Sequence, residues 1–227
     1  MSQSSEETKA ALTDVRKAFR LLWAYNKRVF HIVQRINEQL GFTFYYTDNW
    51  IAPKSSGSDF CTRWAWDALP TVTTGWLMLR PNKKEDGTIV TRPGDQSNNP
   101  LKGEMLLHIL LVSDSGFSDV YAKQKSEPDP LKFAAPESAE SRLILSIYVN
   151  DVDRTEKLNW YDSIFKPNAS KADFLDNFKK ENLNNNIRRY SKSYLLEEFL
   201  DDEGLMSRIS EFQDGAQNAL KVSLGLS

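Results

Sequence analysis

The chain has 227 residues, of which 40% are apolar and 26% charged, with a formal net charge of −2. It is long and apolar enough to bury one core, and this composition excludes an intrinsically disordered chain. The near-neutral balance excludes a chain-wide pull toward nucleic acid or membrane, and a single cysteine, Cys61, excludes an internal disulfide and a cysteine-built zinc site.

Residues 1–9 are polar and acidic, without the basic start and apolar centre of a signal peptide, so a cytoplasmic location is the expectation. Residues 5–40 read as one long helix. Leu12, Val15, Phe19, Leu22, Asn26, Val29, Val33, Ile36 and Leu40 alternate spacings of three and four, which lines them along one side. Ser4 and Glu7 fit a capping box, and Gly41 stands where a left-handed helix stop belongs. Trp23, Tyr25, Phe30 and Ile32 widen the apolar stripe beyond a two-stranded seam, so the helix is expected to lie on a sheet. Asn26, polar at a seam position, fits either a register-setting residue in helix pairing or a hydrogen-bonded core amide.

Four strands follow, over residues 42–50, 74–80, 103–113 and 142–150. Alternation marks the first, and runs of Leu, Ile and Val mark the last two. No helix of crossover length separates the first three, so an antiparallel sheet is favoured. Residues 52–59 and 81–102 read as long loops. Beyond residue 150 the pattern turns helical, with a capping box at Ser170 and Asp173, a helix to about residue 180, another from Tyr194, and apolar spacing through Leu205, Ile209, Phe212, Ala216 and Ala219. The predicted fold is therefore one α+β domain over 1–227. A long N-terminal helix (5–40) packs on a mostly antiparallel sheet region (42–150), followed by a helical region (170–222).

The chain lacks a P-loop, a dinucleotide-binding glycine fingerprint, a zinc-protease helix and a nucleophile elbow. Four weaker constellations remain. Strand parity puts Glu104 and His108 on one sheet face with Arg142, Ser146 and Tyr148, and Trp76 and Arg80 from the shorter strand would join them. Such a face fits a ligand groove with convergent polar groups, or an ordinary solvated face. Asp114 and Asp119 follow the most apolar strand and, with Glu104, would supply oxygens to a divalent metal, although Asp, Ser and Gly there also suit a turn. Arg63, beside Trp64 and Trp66, would suit stacking on a ring. Arg20, Lys27, Arg28 and Arg35 make the outer side of the first helix basic, as a phosphate-binding surface would be.

Three functions compete on these features. The first is a non-enzymatic ligand- or protein-binding module, a homodimer through the long helix or the sheet edge, or a partner of another protein. The second is a metal-dependent phosphodiesterase or nuclease using Glu104, Asp114 and Asp119, with His108 a further catalytic candidate, the one reading that needs a divalent metal as cofactor. The third is a nucleic-acid-binding protein using Arg20, Lys27, Arg28 and Arg35. No membrane partner is expected, because the longest apolar run, residues 105–112, is far too short to span a bilayer.

Overall fold

A computed structural model of the chain describes residues 5–48, 72–80, 100–116, 129–153, 160–165, 179–183 and 186–225. The long helix α1 occupies Ser5–Leu40, as its uninterrupted 3-4 spacing predicts. Its end is set by Gly41, which adopts φ 73°, a conformation that costs glycine nothing. The Phe42 amide then donates to the Asn37 carbonyl at 3.1 Å and the Gly41 amide to Glu38 at 3.3 Å, so the last turn's carbonyls are satisfied as in a Schellman stop.

Six strands, β1 (Thr43–Asp48), β2 (Thr73–Arg80), β3 (Met105–Val112), β4 (Arg142–Asn150), β5 (Lys179–Leu183) and β6 (Ile187–Leu195), form one sheet in the order β1-β2-β3-β4-β6-β5. Every neighbouring pair is antiparallel. A 3-10 turn, Leu196–Phe199, leads into helix α2, Asp202–Leu220. Asp201 caps α2 by accepting from the Gly204 amide at 2.6 Å. The fold is α+β, with the long helix, the antiparallel sheet and the C-terminal helix that the sequence predicts.

Two details depart from the sequence reading. Residues 179–195, inside the region expected to be helical, form β5 and β6 instead. In β6, Tyr190 and Tyr194 face the helices while Ile187, Arg189, Ser191 and Ser193 face the other way, a two-residue period carried mostly by polar side chains. In β1 the register shifts between Phe44 and Tyr46, so the strict alternation expected over 42–50 breaks and both rings stay well exposed. The expected capping box at Ser4, the loops at 52–59 and 81–99, and the helix start at Ser170 lie outside the described residues.

The main core lies between the sheet and the two helices. Val29, Ile32, Val33, Ile36 and Leu40 of α1 and Leu205, Ile209, Phe212, Ala216 and Leu220 of α2 meet Leu107, Ile109, Leu111, Leu143, Leu145 and Ile147. The opposite sheet face is buried as well, with Leu77, Leu79, Leu106, Tyr148 and Ile187 packed against Trp160 and Phe165. Every residue of β3 is buried, which is why that strand is apolar on both faces.

Candidate functional site

The sheet face away from the helices carries the polar row that parity predicts, but as interior. Glu104, His108, Ser146, Tyr148 and Arg189 are each no more than 1% exposed. His108 stands opposite Ser146 across β3 and β4, and Ser146 stands opposite Ser191, whose hydroxyl donates to it at 2.8 Å. Phe165 packs on the imidazole, with ring centroids 4.7 Å apart. Burial first, and the Arg189 charge second, lower the His108 pKa to about 3. The imidazole is thus neutral near pH 7 and shut off from solvent.

Glu104 is held from both sides. Its carboxylate accepts from the Leu101 amide at 3.0 Å and the Trp160 indole at 3.4 Å. Asn150 serves the same corner, its side-chain amide donating to the carbonyls of Pro100, Leu101 and Val152 at 2.7–3.1 Å. Arg189, which sequence reasoning passed over, lies over the Tyr148 ring at 5.9 Å. An arginine in a strand reads as surface, so only the period-2 pattern of β6 places it inside.

The remaining ligand candidates disperse. Arg142 shares the face of His108 but pairs with Val112 at the far end of β3, roughly 13 Å along the strand. There it is held by Glu140 at 2.5 Å and by the Ser193 hydroxyl at 3.2 Å. Trp76 is opposite Ile109 and Arg80 opposite Met105, so both belong to the helix-covered face, which corrects their expected placement. The Arg80 guanidinium donates to the Ser223 carbonyl at 2.8 Å. Leu77 and Leu79 occupy the positions beside His108 and Leu106 instead. Arg63 and Asp119 lie outside the described residues.

Glu104 and Asp114 flank opposite ends of β3, roughly 33 Å apart along an extended chain, so they do not share a metal ion. Among the described residues, no three His, Cys, Asp or Glu side chains come together in a way that would hold one.

The basic side of α1 is partly spoken for. Arg28 donates to the Phe199 and Leu200 carbonyls at 3.1 and 2.6 Å, with Asp202 at 3.9 Å, and so ties α1 to the start of α2. Arg35 pairs with Glu38 at 3.3 Å. Lys27 lies over the Trp23 ring at 5.3 Å. Arg20 is exposed in the first half of the helix.

That first half is the most unusual surface in the structure. Every residue from Glu6 to Ala24 is exposed, and burial of α1 begins at Tyr25 and Asn26. Leu12 (52% exposed), Val15 (49%), Phe19 (67%) and Trp23 (66%) nevertheless continue the apolar stripe that the sheet covers from Val29 onward. The helix is thus half core element and half projecting arm.

At the root of the arm, a pocket of about 470 Å³ is lined by Tyr25, Glu140, Ser141, Leu196, Glu197 and Leu200, among others. The Tyr25 hydroxyl is bonded to that of Ser113 at 2.8 Å, which fixes the point at which the arm leaves the sheet. Burial raises the Tyr25 pKa, and the Ser113 bond partly offsets this.

No helix among the described residues is long and apolar enough to cross a membrane. No curated protein and no solved structure matches the chain. One family model spans residues 5–221, from the first turn of the arm to the end of α2, and by that match the chain belongs to the PM0109 family.

Proposed function

We propose that this protein is a protein-binding module whose interaction element is the projecting half of α1. The observation that carries this reading is the continuous row Leu12, Val15, Phe19, Leu22 and Trp23, which remains exposed although it extends a stripe buried elsewhere on the same helix. Water-facing apolar rows of this length mark surfaces that meet another protein. A helical segment of this size gains most of its stability from packing along its apolar side, so an arm without an occupant is marginal by itself. The sealed histidine and the dispersed acids give no comparable support to a hydrolytic centre.

Hydrogen exchange across residues 8–24 tests the reading. In concentrated protein or in extract of the source cells, the arm amides are expected to slow relative to dilute purified protein. Phe19→Asp is expected to abolish that slowing while leaving the sheet amides unchanged. Arm amides that exchange at one rate under all three conditions would overturn the proposal.

A further inference from the structure

We infer that the occupant of the arm is a second copy of this chain, its own arm running antiparallel and centred on Lys17. This rests on the reading of the arm as an interaction surface and names its partner.

Three observations carry it. The first is length. The exposed apolar seam runs from Leu12 to Leu22, about 15 Å of helix, burial begins at Tyr25 and Asn26, and from Val29 onward the seam is occupied by the chain's own sheet. An antiparallel pair centred on Lys17 overlaps that stretch end to end and nothing more. Each domain then sits at an opposite end of the paired stretch. A parallel pair would bring both domains to the same end, where the seam is already filled.

The second observation is what the register brings together. Leu12 of one arm meets Leu22 of the other, and Val15 meets Phe19. No apolar seam residue faces a polar one. A parallel pair would stack Asn26 on Asn26 and Phe19 on Phe19. Ala18 flanks the seam at the centre, where its small side chain lets the two backbones come close. Lys9 arrives about 3 Å along the axis from the partner arm's exposed Trp23, within reach of a cation–π contact.

The third is charge. Residues 5–15 hold three acids and one base, and residues 16–28 hold five bases and no acid. Antiparallel pairing lays the acidic third of each arm beside the basic stretch of the other, whereas parallel pairing sets like beside like along the whole overlap. Phe19 and Trp23, each about two-thirds exposed, would together remove roughly 400 Å² from water across the two arms. The aliphatic seam adds to that, toward the size of a specific interface.

Sedimentation of the full chain, with cysteine cross-linking in a Cys61→Ser background, tests the inference. Wild type is expected at twice the single-chain mass in the low micromolar range. Phe19→Asp and Leu22→Asp, both at exposed positions, are expected at single-chain mass with sheet amides that exchange as in wild type, a loss of at least about 100-fold in self-affinity. Ala18→Cys is expected to form a disulfide dimer under mild oxidation and Leu12→Cys is not, because antiparallel pairing brings Ala18 near its counterpart and carries Leu12 away. Cross-linking through Leu12→Cys in place of Ala18→Cys would overturn the register. A single-chain mass for wild type up to about 100 μM would overturn self-pairing altogether. If the arm amides of that monomer still slow in extract, the arm remains an interaction surface and only its assigned partner fails.

Discussion

His108 sits where a charge is hardest to hold: fully buried, edge-on to Phe165 and repelled by Arg189. Its pKa of about 3 in the folded chain lies below the unfolded value near 6.5, so the unfolded chain binds the extra proton first. The stability this neutral imidazole allows is complete above about pH 6.5 and is lost as pH falls toward 3, at roughly 1.4 kcal/mol per unit. Urea midpoints measured between pH 7 and pH 4 are therefore expected to fall steeply in wild type, and less steeply in His108→Gln. Equal slopes in the two proteins would show that carboxylates, and not this histidine, set the acid limit. The sequence reveals His108 on a strand of leucines, and parity gives its face. It does not reveal that the face is closed, because part of the closing comes from Trp160 and Phe165, more than 50 residues away in the chain. Leu106, Leu110 and Val112 on the same side were the available hint, and they bury fully.

Among the elements, α1 was legible because a single period runs from its first turn to Gly41 with no proline or glycine between. Strands β5 and β6 were hidden, because their sequences, KKENL and IRRYSKSYL, carry charge where a strand signal needs apolar residues. Strand β6 is held from the helix side by Tyr190, whose hydroxyl fills the space beside Gly215 of α2. A Cβ built on Gly215 would lie 2.0 Å from that oxygen. Gly215→Ala would gain about 1 kcal/mol of helix propensity, yet overpacking against a rigid ring costs about 1–3 kcal/mol, so a net loss of stability is expected. Tyr190→Phe removes the nearest atom, and the double substitution is expected to recover part of the loss in a double-mutant cycle. Additive effects would mean that α2 simply shifts away. The same helix is pinned at its C-terminal end by Arg188, which holds Asp151 through two bonds at 2.5 and 2.7 Å while also donating to the Leu220 carbonyl. The strand that sequence periodicity missed is thus the one that fastens α2 to the sheet.

At the scale of the molecule, α1 divides the work. Over residues 29–40 the apolar stripe is core, and Ile36→Ala there is expected to cost about 2–5 kcal/mol. Phe19→Ala, in the arm, is expected to leave the stability of the dilute monomer nearly unchanged, since nothing in its own chain covers the ring. The width of the apolar stripe signalled a sheet beneath the helix, and its continuation to Leu12 gave no sign of where the sheet would stop. That boundary comes from the size of the sheet and from the Tyr25 and Arg28 anchors, which no local pattern encodes. Because one unbroken helix joins both halves, pairing of the arms must report on the folding of the core. A dimer that binds only folded chains stabilises them by mass action, and the more so the further the chain concentration stands above the dissociation constant. The wild-type melting temperature is therefore expected to rise with protein concentration, and that of Phe19→Asp to stay flat and meet the wild-type value at high dilution. A melting temperature independent of concentration in both proteins would separate arm from core, and the arm would then be an appendage whose pairing the fold does not feel.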